Sequence, residues 1–64
     1  MNIFFKKRES VLIDGPRDGE TLRTSAAGIF SEGGVYVCTS RRDRSGLIIY
    51  QYEPTNLGNP QSNL

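Results

Sequence analysis

The 64-residue chain contains few side chains that commonly do chemistry at neutral pH. It has no histidine, and its single cysteine, Cys38, lies between Val37 and Thr39. A nucleophilic cysteine needs a nearby base or cation to become a thiolate, and neither is adjacent in the sequence. One cysteine can form neither an internal disulfide nor a multi-cysteine zinc site. We therefore interpret Cys38 as a structural, half-buried thiol, and we expect no catalytic site and no cofactor.

Three carboxylates, those of Asp14, Asp18 and Glu20, lie close together in a region rich in glycine and proline. Carboxylate oxygens bind calcium and magnesium, but the spacing here does not match the alternating ligands of an EF-hand loop. Aspartate at such positions also bonds to nearby backbone in Asx-turns. We interpret the cluster as turn chemistry and expect no metal.

Two basic groups are the strongest functional lead. The first is Lys6-Lys7-Arg8, and the second, on a predicted hairpin tip, consists of Arg41, Arg42 and Arg44. Arginine side chains bind phosphates and carboxylates through paired hydrogen bonds. Asp43 lies inside the second group, and the whole chain carries a net charge of only +1. We therefore favour a solvated tip over contact with nucleic acid.

The tyrosines also have two interpretations. Tyr50 and Tyr52 are two positions apart in a predicted strand and therefore share a face. With the arginine tip, such a pair is typical of small barrels that bind single-stranded nucleic acid. Tyrosine more often closes the side of a small core or lies in a protein interface. We expect Tyr36, Tyr50 and Tyr52 to contribute to partner binding.

Short apolar segments separated by Gly, Pro, Asp and Ser predict an all-β fold. The expected strands are 10–14, 20–25, 29–30, 35–39 and 46–53. A hairpin loop is expected at 31–34, where Gly33 and Gly34 are adjacent, and Pro54 is expected to end the last strand. Pairing Ser40 with Leu47 would place Val37 opposite Tyr50. Both faces of the final hairpin would then carry apolar side chains, so both need cover. We expect about five antiparallel strands in a small barrel or a two-sheet sandwich.

Residues 54–64 are polar and rich in Pro, Asn and Gly. This composition predicts an extended arm outside the folded domain, which comprises residues 1–53. Leu57 is one of two leucines in the arm. We expect it to occupy a pocket of a neighbouring chain while the arm pairs with a sheet edge.

A domain of this size has a thin core, and association with a partner is one way to stabilise it. The hypothesis is a non-enzymatic structural or interaction protein: a small subunit of a larger assembly, such as a virus or phage particle. The alternative is a small barrel that binds single-stranded nucleic acid, or a nucleic-acid enzyme, through Arg41, Arg42 and Arg44.

No apolar run approaches the ~20 residues of a membrane span. We expect a soluble chain made in the cytoplasm, with a protein partner or self-association and no small-molecule substrate.

Overall fold

The computed structural model of the chain describes residues 6–55, and this part of the protein is all-β. Its five strands are β1 (Arg8–Ile13), β2 (Thr21–Thr24), β3 (Gly28–Ser31), β4 (Gly34–Arg42) and β5 (Ile48–Pro54). Residues 6–55 contain no helix. This part of the chain therefore has no long apolar helix that could cross a membrane.

The strands form one curled half-barrel sheet in the order β2-β1-β5-β4-β3. Three of the four neighbouring pairs are antiparallel, as predicted, but β1 and β5 are parallel. The sheet is therefore mostly antiparallel but mixed, because β5 returns beside β1 in the same direction after three intervening strands. The described residues form a single open sheet with β2 and β3 at its edges, so neither a closed barrel nor a second sheet is confirmed.

The link between the two edge strands explains why the sheet curls. Only residues 25–27 connect β2 to β3, and the four steps from Thr24 to Gly28 reach at most about 14 Å. In a flat sheet, strands four places apart would be separated by about 19 Å. The edges must therefore approach each other at this end. The N–H of Cys38 donates to the carbonyl oxygen of Ala27 at 3.0 Å and attaches the link to β4.

Most of the core lies on the concave side of the sheet, which we call the inner face; the buried side chain of Val11 lies on the other face. Leu12, Tyr36, Ile48 and Tyr50 form a buried cluster on the inner face. Side chains alternate between the faces of a strand, so the neighbours of these residues lie on the convex side, the outer face. The partly buried residues packed against the cluster are Leu22, Ile29 and Tyr52.

The predicted register of the last hairpin is wrong by one residue. Val37 lies opposite Gln51, and Cys38 lies opposite Tyr50. The pairing shifts irregularly between Cys38 and Arg42, as at a β-bulge. Counting back from the tip along an unbroken ladder therefore gives the wrong partners. Since one step exchanges the faces, the structure places Val35 and Val37 on the face opposite to the tyrosines.

The predicted turn between β3 and β4 is present, because Ser31 pairs with Gly34 across the two residues Glu32 and Gly33. At the carboxyl end, β5 ends at Pro54, and the N–H of Thr55 donates to the carbonyl oxygen of Gly33 at 3.0 Å. Most of the predicted arm, including Leu57, lies outside the described residues. Its role therefore stays a prediction.

Candidate functional site

The three tyrosines attach three different connections to the sheet through their hydroxyl groups. Tyr36 donates to the carbonyl oxygen of Asp14 at 2.6 Å, in the β1–β2 loop. Tyr50 donates to the carbonyl oxygen of Ala26 in the β2–β3 link. Tyr52 donates to the carbonyl oxygen of Glu32 at 2.8 Å, in the β3–β4 turn. Each hydroxyl therefore satisfies a backbone acceptor in one of these connections.

This arrangement leaves little tyrosine surface for a partner. Tyr36 and Tyr50 are buried, with exposures of 0% and 2%, and Tyr52 is half-buried. The rings of Tyr36 and Tyr52 lie in tilted contact, with centroids 5.0 Å apart. Tyr50 and Tyr52 share the inner face, as their spacing predicts, but they do not form an exposed platform on which bases could stack.

At the β4–β5 tip, two of the residues singled out from the sequence organise the loop. Asp43 accepts hydrogen bonds from the N–H groups of Ser45 at 2.8 Å and Leu47 at 2.9 Å. The guanidinium of Arg42 donates to the carbonyl oxygen of Gly46 at 3.0 Å. The carboxylate of Asp43 therefore binds the loop backbone and forms no ion pair with a neighbouring arginine. The side chains of Arg41 and Arg44 are exposed.

The two basic groups lie at the same end of the sheet. Ile48 pairs with Ser10 on one side and with Arg42 on the other. The start of β1 and the end of β4 are therefore only two strand spacings apart, about 10 Å. We call this region the basic end; its charged residues are Lys6, Lys7, Arg8, Arg41, Arg42, Arg44 and Asp43. Six cations and one carboxylate give it a formal charge of +5.

The opposite end of the sheet is acidic. The β1–β2 loop, the β3–β4 turn and the end of β5 meet there, and this acidic end contains Asp14, Arg17, Asp18, Glu20, Glu32 and Glu53. Five carboxylates and one arginine give a formal charge of −4. The remaining charged residues, Glu9 and Arg23, form an ion pair at 3.6 Å. The net charge of +1 therefore conceals a strong separation of charge along the strands.

Ion pairing differs between the two ends. Within residues 6–55, the ion pairs are Arg17–Glu20 and Glu9–Arg23, so no cation of the basic end contacts a carboxylate there. At the acidic end, Asp14 accepts from the amide of Gln51 at 2.6 Å, and Asp18 accepts from the N–H of Asp14. The same part of the chain contains no cluster of three residues that could hold a metal ion.

An open pocket of about 560 Å³ lies at the basic end, beside the β2–β3 link. Its walls carry three cations and no carboxylate. Ala26 and Ala27 contribute only small side chains, while Ser25 adds a hydroxyl group. The full lining consists of Lys6, Lys7, Arg8, Ser25, Ala26, Ala27, Cys38 and Tyr50. Charge and hydrogen-bond donors both suit an anion.

Tyr50 and Cys38 form a cross-strand pair in the wall of this pocket. Burial raises the pKa of the Tyr50 hydroxyl above its usual value of 10.0, and the neighbouring Cys38 thiol raises it further. The positive charge of Arg8 acts in the opposite direction on the same pKa. Tyr50 therefore keeps its proton at neutral pH and serves as the donor to Ala26. Cys38 is an exposed free thiol. The expectation of a half-buried thiol is therefore wrong, because the side chain lines the open pocket.

The outer face carries an apolar group that the sequence analysis did not single out. Phe30 on β3 pairs with Val35 on β4, and Val37 is the next outward-facing residue of β4. Phe30 is 89% exposed and Val37 is 40% exposed. We call Phe30, Val35 and Val37 the outer patch. The predicted register conceals this patch, because placing Val37 opposite Tyr50 puts the valines of β4 on the face of the tyrosines, whereas Val37 lies opposite Gln51.

Comparison of the chain with models of protein families, with curated protein sequences and with solved structures found no match in any of the three.

Proposed function

We propose that the protein is a non-enzymatic interaction protein that works as a small subunit of an assembly, and that its first partner is a second copy of itself. The observation that carries this proposal is the outer patch. A large aromatic side chain that is nearly fully exposed on a strand, beside a partly exposed valine, is a feature of interaction surfaces. A virus or phage particle is one form that such an assembly would take.

The separation of charge favours a second copy over an unrelated partner. When two outer patches meet around a two-fold axis with their strands antiparallel, the basic end of each copy lies over the acidic end of the other. Charges of +5 and −4 then attract on both sides of the axis. With the strands parallel, like charges would repel at both ends. One chain thus supplies both halves of a self-complementary interface, as two-fold symmetry requires.

Such a dimer would be a two-sheet sandwich. Sheets that pack face to face lie about 10 Å apart, with their side chains interleaved. Phe30 from each copy would fill the gap between the sheets, where an aromatic ring buries on the order of 150 Å². The second sheet expected from the sequence would then come from the partner copy. The predicted arm would add contacts beyond this interface.

The test is the mass of the protein in solution, measured by sedimentation equilibrium over a range of concentrations. We expect dimers for the unchanged chain and monomers for Phe30→Lys. Thr21→Lys is the matched control, because Thr21 is an exposed outer-face residue on β2, away from the patch. This control should still dimerise. A monomer at every concentration, or dimers that survive Phe30→Lys, would contradict the proposal.

A second candidate function is binding of single-stranded nucleic acid through Arg41, Arg42 and Arg44. The observation that favours it is the absence, within residues 6–55, of any carboxylate paired with these arginines. Arg42 is engaged with Gly46, so Arg41 and Arg44 would make the phosphate contacts. Loss of oligonucleotide binding in Arg41→Gln/Arg44→Gln, with retained binding in Arg23→Gln, would support it. Equal binding by both variants would contradict it.

A further inference from the structure

We propose that the pocket at the basic end is a binding site for a phosphate group carried by a nucleotide, either free or within a single nucleic-acid strand. This inference goes beyond self-association, because the pocket lies on the inner side of the β2–β3 link and the outer patch lies on the other face. It also differs from the arginine tip, since neither Arg41 nor Arg44 lines the pocket.

The chemistry of the walls points to an anion. Lys6, Lys7 and Arg8 supply three positive charges, and no carboxylate lines the pocket. Among residues 6–55, these cations have no ion-pair partner. Charge-assisted hydrogen bonds to phosphate are about twice as strong as neutral ones. The hydroxyl of Ser25 adds a neutral hydrogen-bond donor to the same wall.

The shape points to something larger than an inorganic ion. The pocket has a volume of about 560 Å³, which falls within the range of sites that hold small molecules and cofactors. The alanines of the link leave this space open. A nucleoside attached to the phosphate would fill the remainder. The link is held in place by Tyr50 and by the N–H of Cys38, so the pocket is already formed.

The arginine tip extends the site in one direction. Arg42 and Ser10 flank Ile48 in neighbouring strands, so the tip is about 10 Å from the start of β1. In a strand with several phosphates, one phosphate would occupy the pocket while another met Arg41 and Arg44. A free mononucleotide would use the pocket alone. Both ligands therefore depend on the pocket residues, but only the strand also depends on Arg41 and Arg44.

The experiment measures fluorescence anisotropy with a labelled mononucleotide and with a labelled single-stranded oligonucleotide. Lys7→Gln/Arg8→Gln should weaken binding of every ligand that binds, by at least about tenfold. Arg41→Gln/Arg44→Gln, which removes the same charge outside the pocket, should weaken only the oligonucleotide. Three pocket cations and two tip arginines predict a salt slope of about −3.5 for the oligonucleotide, and about −2 in either double variant. If the oligonucleotide binds and the mononucleotide does not, the phosphate that occupies the pocket belongs to a nucleic-acid strand.

Cys38 provides a direct probe of the location, because this exposed thiol lines the pocket. A bound ligand should slow its alkylation by an uncharged reagent, at least about fivefold at saturation. Binding without protection of Cys38 would overturn the pocket site. Equally tight binding of a glutamate-rich peptide of the same charge would also overturn it, because nonspecific electrostatic attraction would then explain the affinity. If neither phosphate ligand binds, the inference is wrong and self-association is unaffected.

Discussion

The hydroxyl group of Tyr36 accepts a hydrogen bond at 2.8 Å from the backbone N–H of Arg17, nineteen positions earlier in the chain. The same hydroxyl donates to Asp14. One buried side chain of β4 thus holds two backbone positions of the β1–β2 loop, Asp14 and Arg17, across the inner face. This loop lies at the acidic end of the sheet, and the β2–β3 link, held by Tyr50, lies at the basic end.

Removing the Tyr36 hydroxyl should loosen this loop. Tyr36→Phe leaves a partly buried N–H and a carbonyl oxygen without their partner, which costs about 1–3 kcal/mol of unfolding free energy. Tyr52→Phe is the control, because its hydroxyl bond to Glu32 is exposed and water can replace it. We expect the control to lose less than about 1 kcal/mol. Urea unfolding measures both values, and equal losses would contradict the role given to Tyr36.

The stability of the chain should fall at alkaline pH partly through Tyr50. Its pKa in the folded chain is raised above 10.0 by burial. As the pH rises above about 10, the unfolded chain releases this proton while the folded chain retains it, so the unfolding free energy decreases. Below that pH the contribution is fully present. Urea unfolding across this range should show a steeper fall for the unchanged chain than for Tyr50→Phe, whereas parallel curves would exclude the effect.

Two glycines with positive φ should respond differently to alanine. At Gly15, with φ of +68°, an added Cβ would lie 2.4 Å from Cγ of Tyr52 and 2.7 Å from the hydroxyl oxygen of Tyr36. At Gly19, with φ of +87°, it would meet nothing within 4 Å. Both substitutions cost about 1–2 kcal/mol for the left-handed backbone. Gly15→Ala adds about 1–3 kcal/mol for the clash.

Thermal unfolding distinguishes these two variants. A transition at a clearly lower temperature is expected for Gly15→Ala than for Gly19→Ala. Similar transitions would show that the β1–β2 loop does not pack against Tyr36 and Tyr52 as described.

The sequence predicts the local parts of this fold and fails where distant segments meet. The Glu32-Gly33 turn and the end of β5 at Pro54 follow from residues that favour turns or stop strands. The parallel pairing of β1 with β5 has no local signal, because it depends on the path of the whole chain. That pairing brings Lys6, Lys7 and Arg8 beside the arginine tip. The basic end could therefore not be recognised from two separate runs of charge.

The same limit explains the outer patch. Its recognition requires the register between β4 and β5, and the shift between Cys38 and Arg42 moves that register by a step that the loop sequence does not reveal. The shared face of Tyr50 and Tyr52 is correctly predicted, since their spacing alone determines it. The predicted register places Tyr36 on the opposite face, which is wrong, because Tyr36 pairs with Tyr52 on the inner face. The hydroxyl partners of the tyrosines in three connections depend on the curl of the sheet.

The antiparallel arrangement of the dimer makes a prediction about charge. Arg41→Glu/Arg44→Glu lowers the positive charge of the basic end, and Glu32→Lys/Glu53→Lys lowers the negative charge of the acidic end. Each variant alone should dimerise more weakly than the unchanged chain, and an equal mixture should form a heterodimer that is stronger than either variant alone. Sedimentation at low salt measures this series. Near 1 M salt, where the Debye length is about 3 Å, the differences should shrink. Tighter association of either single variant would contradict the arrangement.

The most direct test of self-association through the outer patch is the NMR spectrum of the unchanged chain during dilution. Methyl signals of Val35 and Val37 and ring signals of Phe30 should shift as dimers dissociate. Signals of Leu12 and Ile48, which lie in the core on the inner face, should stay in place. Shifts confined to the outer patch are the result that the proposal predicts. A spectrum that does not change with concentration, or one that changes elsewhere while the outer patch stays constant, would contradict it.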